Sequence, residues 1–216
     1  MEQPDPLGSF LKQAADEIGI ALNPGHIDAF LSYLEQLKRW NQTINLTSIT
    51  QDREIIIKHF VDSLAGLNAD RIPESATLLD IGTGAGFPGI PLKIVRPDLE
   101  LTLVEPVNKK VSFIRFMIGR LHLDHIHTFE GTVDQLLTNK TVHGSFDFVV
   151  TRALKLDVTA KCLGQLLKKT GKAIVYLSES IDRRVLPADI SVVREYEFEL
   201  PKKYGKRTIS VLAVHN

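Results

Sequence analysis

Residues 80–91 read DIGTGAGFPGIP, with Gly82, Gly84 and Gly86 at alternate positions and Gly89 completing a G-x-G-x-x-G spacing that starts at Gly84. Glycine at that density marks backbone that turns through positive φ or comes close to another group, because only glycine does either without strain or an intruding Cβ. The apolar run TLLDI leads into the loop and PGIPLKIV leads out of it. A strand that runs into a glycine-rich turn and then opens a helix is the start of a nucleotide-binding type of α/β fold.

Downstream the same alternation repeats. LTLVE is followed by NKKVSFIRFMIGRL, HIHTF by TVDQLLT, and FDFVV by DVTAKCLGQLLKK, before KAIVYL. Short apolar runs separated by helical segments predict βαβ units on a parallel sheet covered on both faces. The last two runs, SVVREYEFEL and RTISVLAVH, are joined by PKKYGK with no helix between them, so they are expected to pair antiparallel as a hairpin. Seven strands follow, the first five parallel. Upstream of residue 70 the spacing is helical: Ile27, Phe30, Leu31, Leu34 and Leu37 fall on one face, with Asn23 and Pro24 as cap and first helical residue. A weaker helix is expected over about 6–19 and a third in REIIIKHFVDSLAGL. The expected organisation is an N-terminal helical extension over residues 1–70 and an α/β unit over 71–216.

Composition sets the surroundings. The 216 residues are 44% apolar and 24% charged, as in ordinary globular proteins. No run approaches the ~20 apolar residues of a membrane span, and MEQPDPLGSF lacks the basic and apolar parts of a signal peptide, so cytoplasm is expected. Cys162, the single cysteine, cannot form an internal disulfide and reads as a small buried apolar residue. The 26 basic and 26 acidic residues cancel, so a polyanion would have to be met by local patches such as KKYGKR at 202–207, LKKTGK at 167–172, or Lys109, Lys110, Arg115 and Arg120. His122, His125 and His127 match no standard zinc spacing and have no cysteine beside them, so no metal is expected.

The ligand of the loop is open between two classes on glycine spacing alone. Glu105 ends the second strand about twenty residues on, where it can accept ribose hydroxyls, which indicates an adenosine ligand without naming it. A dinucleotide would need its pyrophosphate on free helix amides, yet Pro88 and Pro91 remove two donors there and Asp80 adds a negative charge beside the glycines. S-adenosylmethionine carries no phosphate and is cationic, so it suits these residues better than NAD. A glycine-rich turn with no ligand, a nucleotide-dependent oxidoreductase and a non-catalytic RNA-binding module that kept an adenosine pocket remain as alternatives.

With WNQTINLTSI and KHFVDSL upstream and LVEPVNKKVSFIRF and FDFVVTRAL downstream, DIGTGAGFPGIP resembles the glucose-inhibited division protein B family, the small-subunit ribosomal RNA methyltransferases G, over about residues 30–175. The resemblance implies a class I S-adenosylmethionine-dependent methyltransferase fold, Rossmann-like, with seven strands and the last antiparallel. It also implies S-adenosylmethionine as cofactor and N7 of a guanine in small-subunit (16S) ribosomal RNA as acceptor, the RNA being free or within the small subunit. The cofactor contacts it implies fall on Gly82, Phe87, Val133, Asp134 and Arg152; Gly84, Gly86 and Glu105 join them because bare backbone and a ribose acceptor suit the same ligand. Arg152 is also of the kind that pairs an acid at a strand end. Thr132 stands where many relatives carry arginine, and YLSES at 176–180 replaces what is usually a lysine-glycine pair. Guanine N7 is an unprotonated lone pair, so the transfer needs no general base, and no residue is assigned as catalytic. Trp40 reads as core, or else as a platform on which a base stacks.

Overall fold

The strands are β1 (Thr77–Ile81), β2 (Glu100–Glu105), β3 (Ile126–Glu130), β4 (Phe146–Arg152), β5 (Leu167–Leu177), β6 (Ile190–Glu199) and β7 (Lys206–Val214). They form one sheet in the order β3-β2-β1-β4-β5-β7-β6. The computed structural model describes residues 6–152 and 156–215. β1 to β5 are mutually parallel, and β7 inserts antiparallel between β5 and β6. The expected five parallel strands closed by a hairpin are all present, and the last strand is the antiparallel one.

Alternation along the strands explains how both faces are covered. Leu78, Leu101, Leu103, Phe148, Val150, Ile174 and Ile209 belong to one apolar cluster, whereas Leu79, Ile81, Val104, Val149, Ala173, Val175 and Leu212 belong to the other. The first face is covered by the helices Gly89–Val95 and Asn108–Arg120 and by the N-terminal helices; the second by Leu156–Leu166 and the short Val133–Leu136.

The N-terminal helices share the first core. In α1 (Pro6–Glu17) Leu11, Ala14 and Ala15 are buried, and in α2 (Pro24–Ile44) so are Phe30, Tyr33, Leu34 and Leu37. Asn23 caps α2 by accepting from the His26 amide at 2.8 Å, as the Asn-Pro pair predicts. The third helical stretch begins as Asp52–Ile55, winds as a π-helix over Ile56–Val61, and continues through Asp62–Leu64 and Gly66–Ala69. π-turns within helices are frequent at functional sites, and this one carries His59.

Two boundaries differ from the sequence reading. The helix expected through Lys169 ends at Leu166, and Leu167 opens β5 opposite Phe146. The Gly144 amide donates to the Gln165 carbonyl at 2.8 Å, which anchors the end of that helix to the loop before β4. His125 and His122 lie outside β3 in the left-handed region, at φ 53° and 51°. Ala153 and Leu154 of the FDFVVTRAL phrase lie outside the described residues.

Candidate functional site

The loop after β1 is held to the end of β2. Gly82, Gly84 and Gly86 adopt φ of 70°, 64° and 98°, the left-handed region that a side chain resists. The Gly82 and Thr83 amides donate to the Val104 carbonyl, and the Gly84 amide donates to Glu105 Oε2 at 2.9 Å. Glu105 is buried, and its Oε1 accepts from the Val107 amide at 3.0 Å. Sequence spacing alone thus anticipated the juxtaposition of Glu105 with the glycines, while its part in fixing the loop is added by the structure. The three glycines differ in what surrounds them. A Cβ on Gly84 would meet nothing within 4 Å, whereas one on Gly86 would lie 2.5 Å from Ile90 Cδ1 and 2.7 Å from the Tyr33 hydroxyl. Gly84 faces open space; Gly86 is required by packing against α2.

Asp80 is fully buried beneath this loop. Its Oδ2 accepts from the Thr83 hydroxyl at 2.6 Å and from the Gly89 amide at 2.8 Å, and its Oδ1 has no hydrogen-bond partner. The acid that the sequence placed beside a cationic ligand therefore caps the Gly89–Val95 helix from below. Burial pushes its carboxyl up to about 7, against the lowering effect of the Thr83 and Gly89 hydrogen bonds and of Arg152. The neighbouring amides of Gly86 and Phe87 donate to the Thr83 carbonyl, and that of Ile90 to the Gly86 carbonyl. With two prolines in the same turn, these amides are not available to phosphate oxygens.

Phe87 is enclosed between Tyr33 and His59, whose rings stack on it at centroid distances of 5.4 and 4.7 Å. The Arg152 guanidinium lies 5.1 Å over the same ring. Arg152 does pair an acid, but inside a pocket and not on the surface: its Nη1 donates to Asp62 Oδ2 and to the Lys58 carbonyl, each at 3.1 Å. Its Nη2 lies 3.3 Å from His59 Nδ1. Arginine has no acceptor, so Nδ1 carries the lone pair and Nε2 carries the proton, which it donates to the Thr47 hydroxyl at 2.8 Å. Burial, reinforced by Arg152, lowers the His59 pKa to about 3, which keeps the ring neutral.

Around this ion pair lies a cavity of about 440 Å³ lined by Lys58, His59, Asp62, Arg152, Tyr176 and Arg207, with Ile49 and Leu177 as its apolar wall. Burial raises the Asp62 carboxyl while Arg152 and Arg207 lower it. Asp62 Oδ1 stands 3.6 Å from Arg207 Nε and has no hydrogen-bond partner. The KKYGKR segment, expected as the hairpin link, joins β6 to the start of β7: Lys202 pairs with Glu17, Tyr204 lies under Lys58, and Arg207, in β7, reaches the cavity.

Beyond Glu105 the loop after β3 returns to the same edge, the Gly131 amide donating to the Glu105 carbonyl at 3.1 Å. Thr132 and Gln135 form a capping box that starts Val133–Leu136, so Thr132 is a helix cap in this chain. Val133 is buried and Asp134 is exposed. Sheet order thus sets Val133 and Asp134, Glu105, the glycine loop and Arg152 in succession along the carboxyl edge of β3, β2, β1 and β4. Thr47, His59, Asp62 and Arg207 were not singled out by sequence reasoning. The signal for two of them was the three-residue spacing of His59 and Asp62, which puts both on one side of a helix. Trp40 packs edge-on against Phe113 at 5.6 Å and against the part-exposed Phe116 at 5.3 Å.

Five parallel strands, a hairpin with the antiparallel β7, and a glycine loop tied to an acid at the end of β2 together define the class I methyltransferase fold. The fold is shared with a SAM-dependent methyltransferase from Aquifex aeolicus, 15% identical, with a TM-score of 0.53 over 74% of this chain and 93% of that one. A family model described as GidB, rRNA small subunit methyltransferase G, matches residues 26–207, and the chain belongs to that family. Relatives named ribosomal RNA small subunit methyltransferase G include one from Clostridium perfringens strain SM101, 38% identical over 67% of this chain and 60% of its own length. Another, from Streptococcus pyogenes serotype M12, is 35% identical over 86% of this chain and 82% of its own length. Among the described residues no helix is long and apolar enough to cross a membrane, and no group of three or more His, Cys, Asp or Glu side chains could hold a metal ion.

Proposed function

We propose that this protein transfers a methyl group from S-adenosylmethionine to N7 of a guanine in small-subunit ribosomal RNA, in the cytoplasm. The observation that carries the reading, in a chain of this family, is the open face of Gly84 beside Glu105, on a loop whose helix amides are already hydrogen-bonded. That donor set fits an adenosine with a charged amino-acid tail and disfavours a pyrophosphate. Glu105 retains lone pairs for ribose hydroxyls; Val133 supplies an apolar flank and Asp134 an acceptor for the adenine amino group. Gly82 and Gly84 offer bare backbone to the methionyl part. Gly86 and Phe87 bound that shelf through their backbone, since their outer faces are packed against Tyr33, Ile90 and His59.

The bound cofactor supplies an electrophilic methyl group. The protein's part is to hold the acceptor in line and to order the field around moving positive charge. Arg152, fixed by Asp62, the Lys58 carbonyl and His59, stands between the donor shelf and the cavity. No base is needed, and His59 is held neutral with its lone pair on Arg152. Residues 1–70 supply one wall of the cavity, through Ile49, Lys58, His59 and Asp62, and back the donor loop through Tyr33; residues 71–216 supply the other wall and the donor shelf.

Calorimetry and methyl transfer test this together. S-adenosylmethionine and S-adenosylhomocysteine are expected to bind and NAD is not, and label from the methyl group should enter ribosomal RNA. NAD binding in their place overturns the donor; S-adenosylhomocysteine binding without transfer to any ribosomal RNA overturns the enzyme.

A further inference from the structure

We infer that Asp62 is the residue that reads the target base, its carboxylate accepting the N1–H and N2–H₂ donors of guanine within the cavity beside Arg152. The inference rests on the methyl-transfer reading above and deepens it. Asp62 has a side chain only 7% exposed, it lines the cavity, and Oδ2 is held by Arg152 while Oδ1 has no hydrogen-bond partner. A buried carboxylate oxygen left unsatisfied costs of the order of 1–3 kcal/mol or more; Asp62, unlike the similarly unpartnered Asp80 beneath the glycine loop, lines a cavity through which a partner can arrive.

The chemistry of that partner is narrow. An ionised carboxylate only accepts, so it matches a base edge that offers two adjacent donors. Of the four RNA bases only guanine does so. Adenine and cytosine place an acceptor beside their amino group, and uracil has one N–H between two carbonyls. The same edge leaves N7 on the far side of the ring, free for the donor. Reading a splayed base by its Watson–Crick edge is the general solution for enzymes that modify bases.

The other walls suit the same ligand. Ile49 and Leu177 offer apolar surface to the ring, and Lys58, half-buried and paired with Glu54 at 2.7 Å, stands at the same wall. Arg207 covers Oδ1 from 3.6 Å without a hydrogen bond, and a side chain of that length can swing aside and donate to O6. Arg152 holds the aspartate in place through Oδ2, and it contacts Phe87 of the donor loop on its other side. One guanidinium therefore touches both the donor loop and the aspartate, and donor and base would meet beside it.

The test uses the full chain with small-subunit RNA in which the target guanosine, mapped by primer extension, is replaced by inosine, which lacks the N2 amino group. Wild type should lose roughly 10- to 100-fold in kcat/KM on inosine, the range for a hydrogen bond to a charged group. Asp62→Asn should turn over guanosine poorly and bring the guanosine-to-inosine ratio towards one, with S-adenosylhomocysteine affinity retained as the measure of folding and of the donor site. A wild type indifferent to inosine, or an Asp62→Asn variant with an undiminished ratio, overturns the inference while leaving methyl transfer in place. A wild type that methylates no ribosomal RNA instead overturns the function on which it rests. Should Asp62→Asn no longer bind S-adenosylhomocysteine, wild type with 1-methylguanosine at the target decides: loss of turnover is expected, and turnover equal to guanosine overturns the inference.

Discussion

Asp80 and His59 are buried titratable groups with opposite consequences for stability. The folded Asp80 carboxyl is raised to about 7 from an unfolded value of 3.8. Between those values the unfolded chain releases a proton that the folded chain keeps, so this group lowers stability as pH rises from about 4 to about 7. His59 is lowered from 6.5 to about 3, so its contribution is complete above pH 6.5 and is lost as pH falls towards 3. The two slopes overlap and partly cancel. Asp80→Asn keeps an acceptor for Thr83 and Gly89 and removes one slope. The difference in unfolding free energy, wild type minus variant, is expected to fall with pH from 4 to 7 at up to about 1.4 kcal/mol per unit, measured by urea unfolding; a flat difference would mean that Asp80 ionises normally. Gly84 gives the second prediction at this scale. A side chain there is strained at φ 64° and projects into open space over the shelf, so Gly84→Val should abolish S-adenosylhomocysteine binding in calorimetry while the chain stays folded.

Between elements, the contact that locks the third N-terminal helical stretch to β5 passes through a glycine. Tyr176 donates its hydroxyl to the Ser63 carbonyl at 2.6 Å, directly over Gly66, where a Cβ would stand 2.0 Å from that oxygen. Gly66→Ala therefore forces the ring out of place. A loss of about 1–3 kcal/mol is expected in urea unfolding, from overpacking, and methyl transfer should fall more than S-adenosylhomocysteine affinity because Tyr176 lines the acceptor cavity. Unchanged stability would place slack in that contact that the geometry does not contain. The hairpin works at the same scale: β7 is anchored by ladders to β5 and β6, and its start carries Arg207 to the cavity from the far end of the chain.

For the molecule as a whole, the 26 basic and 26 acidic residues balance, so under the proposed function RNA would have to be held by local groups, which the proposal sets on the carboxyl edge of the sheet. Lys109 and Lys110 start the Asn108–Arg120 helix just after Glu105, on that edge. Replacing both by alanine should weaken RNA binding and flatten its log-log salt dependence by about one unit for each phosphate no longer neutralised, with S-adenosylhomocysteine affinity unchanged. An unaltered salt slope would bring the RNA to a different face.

The short apolar runs and helical stripes were enough to anticipate five parallel strands, the closing hairpin and the flanking helices, because both are local information, while two boundaries moved with tertiary pairing. The pairing of Glu105 with the glycine loop was legible for the same reason: adjacent parallel strands bring their carboxyl ends together whatever the rest of the chain does. Other features were decided only in three dimensions. The orientation of Asp80 depends on which way a strand-end side chain faces once the loop closes over it, and nothing nearby in the sequence records that Gly89 returns to meet it. The purpose of Gly86 lies in Tyr33, more than fifty residues upstream. The acceptor cavity draws Asp62, Arg152 and Arg207 from three distant segments, and the sum of their charges and burial exists only where the N-terminal helices, β4 and β7 converge.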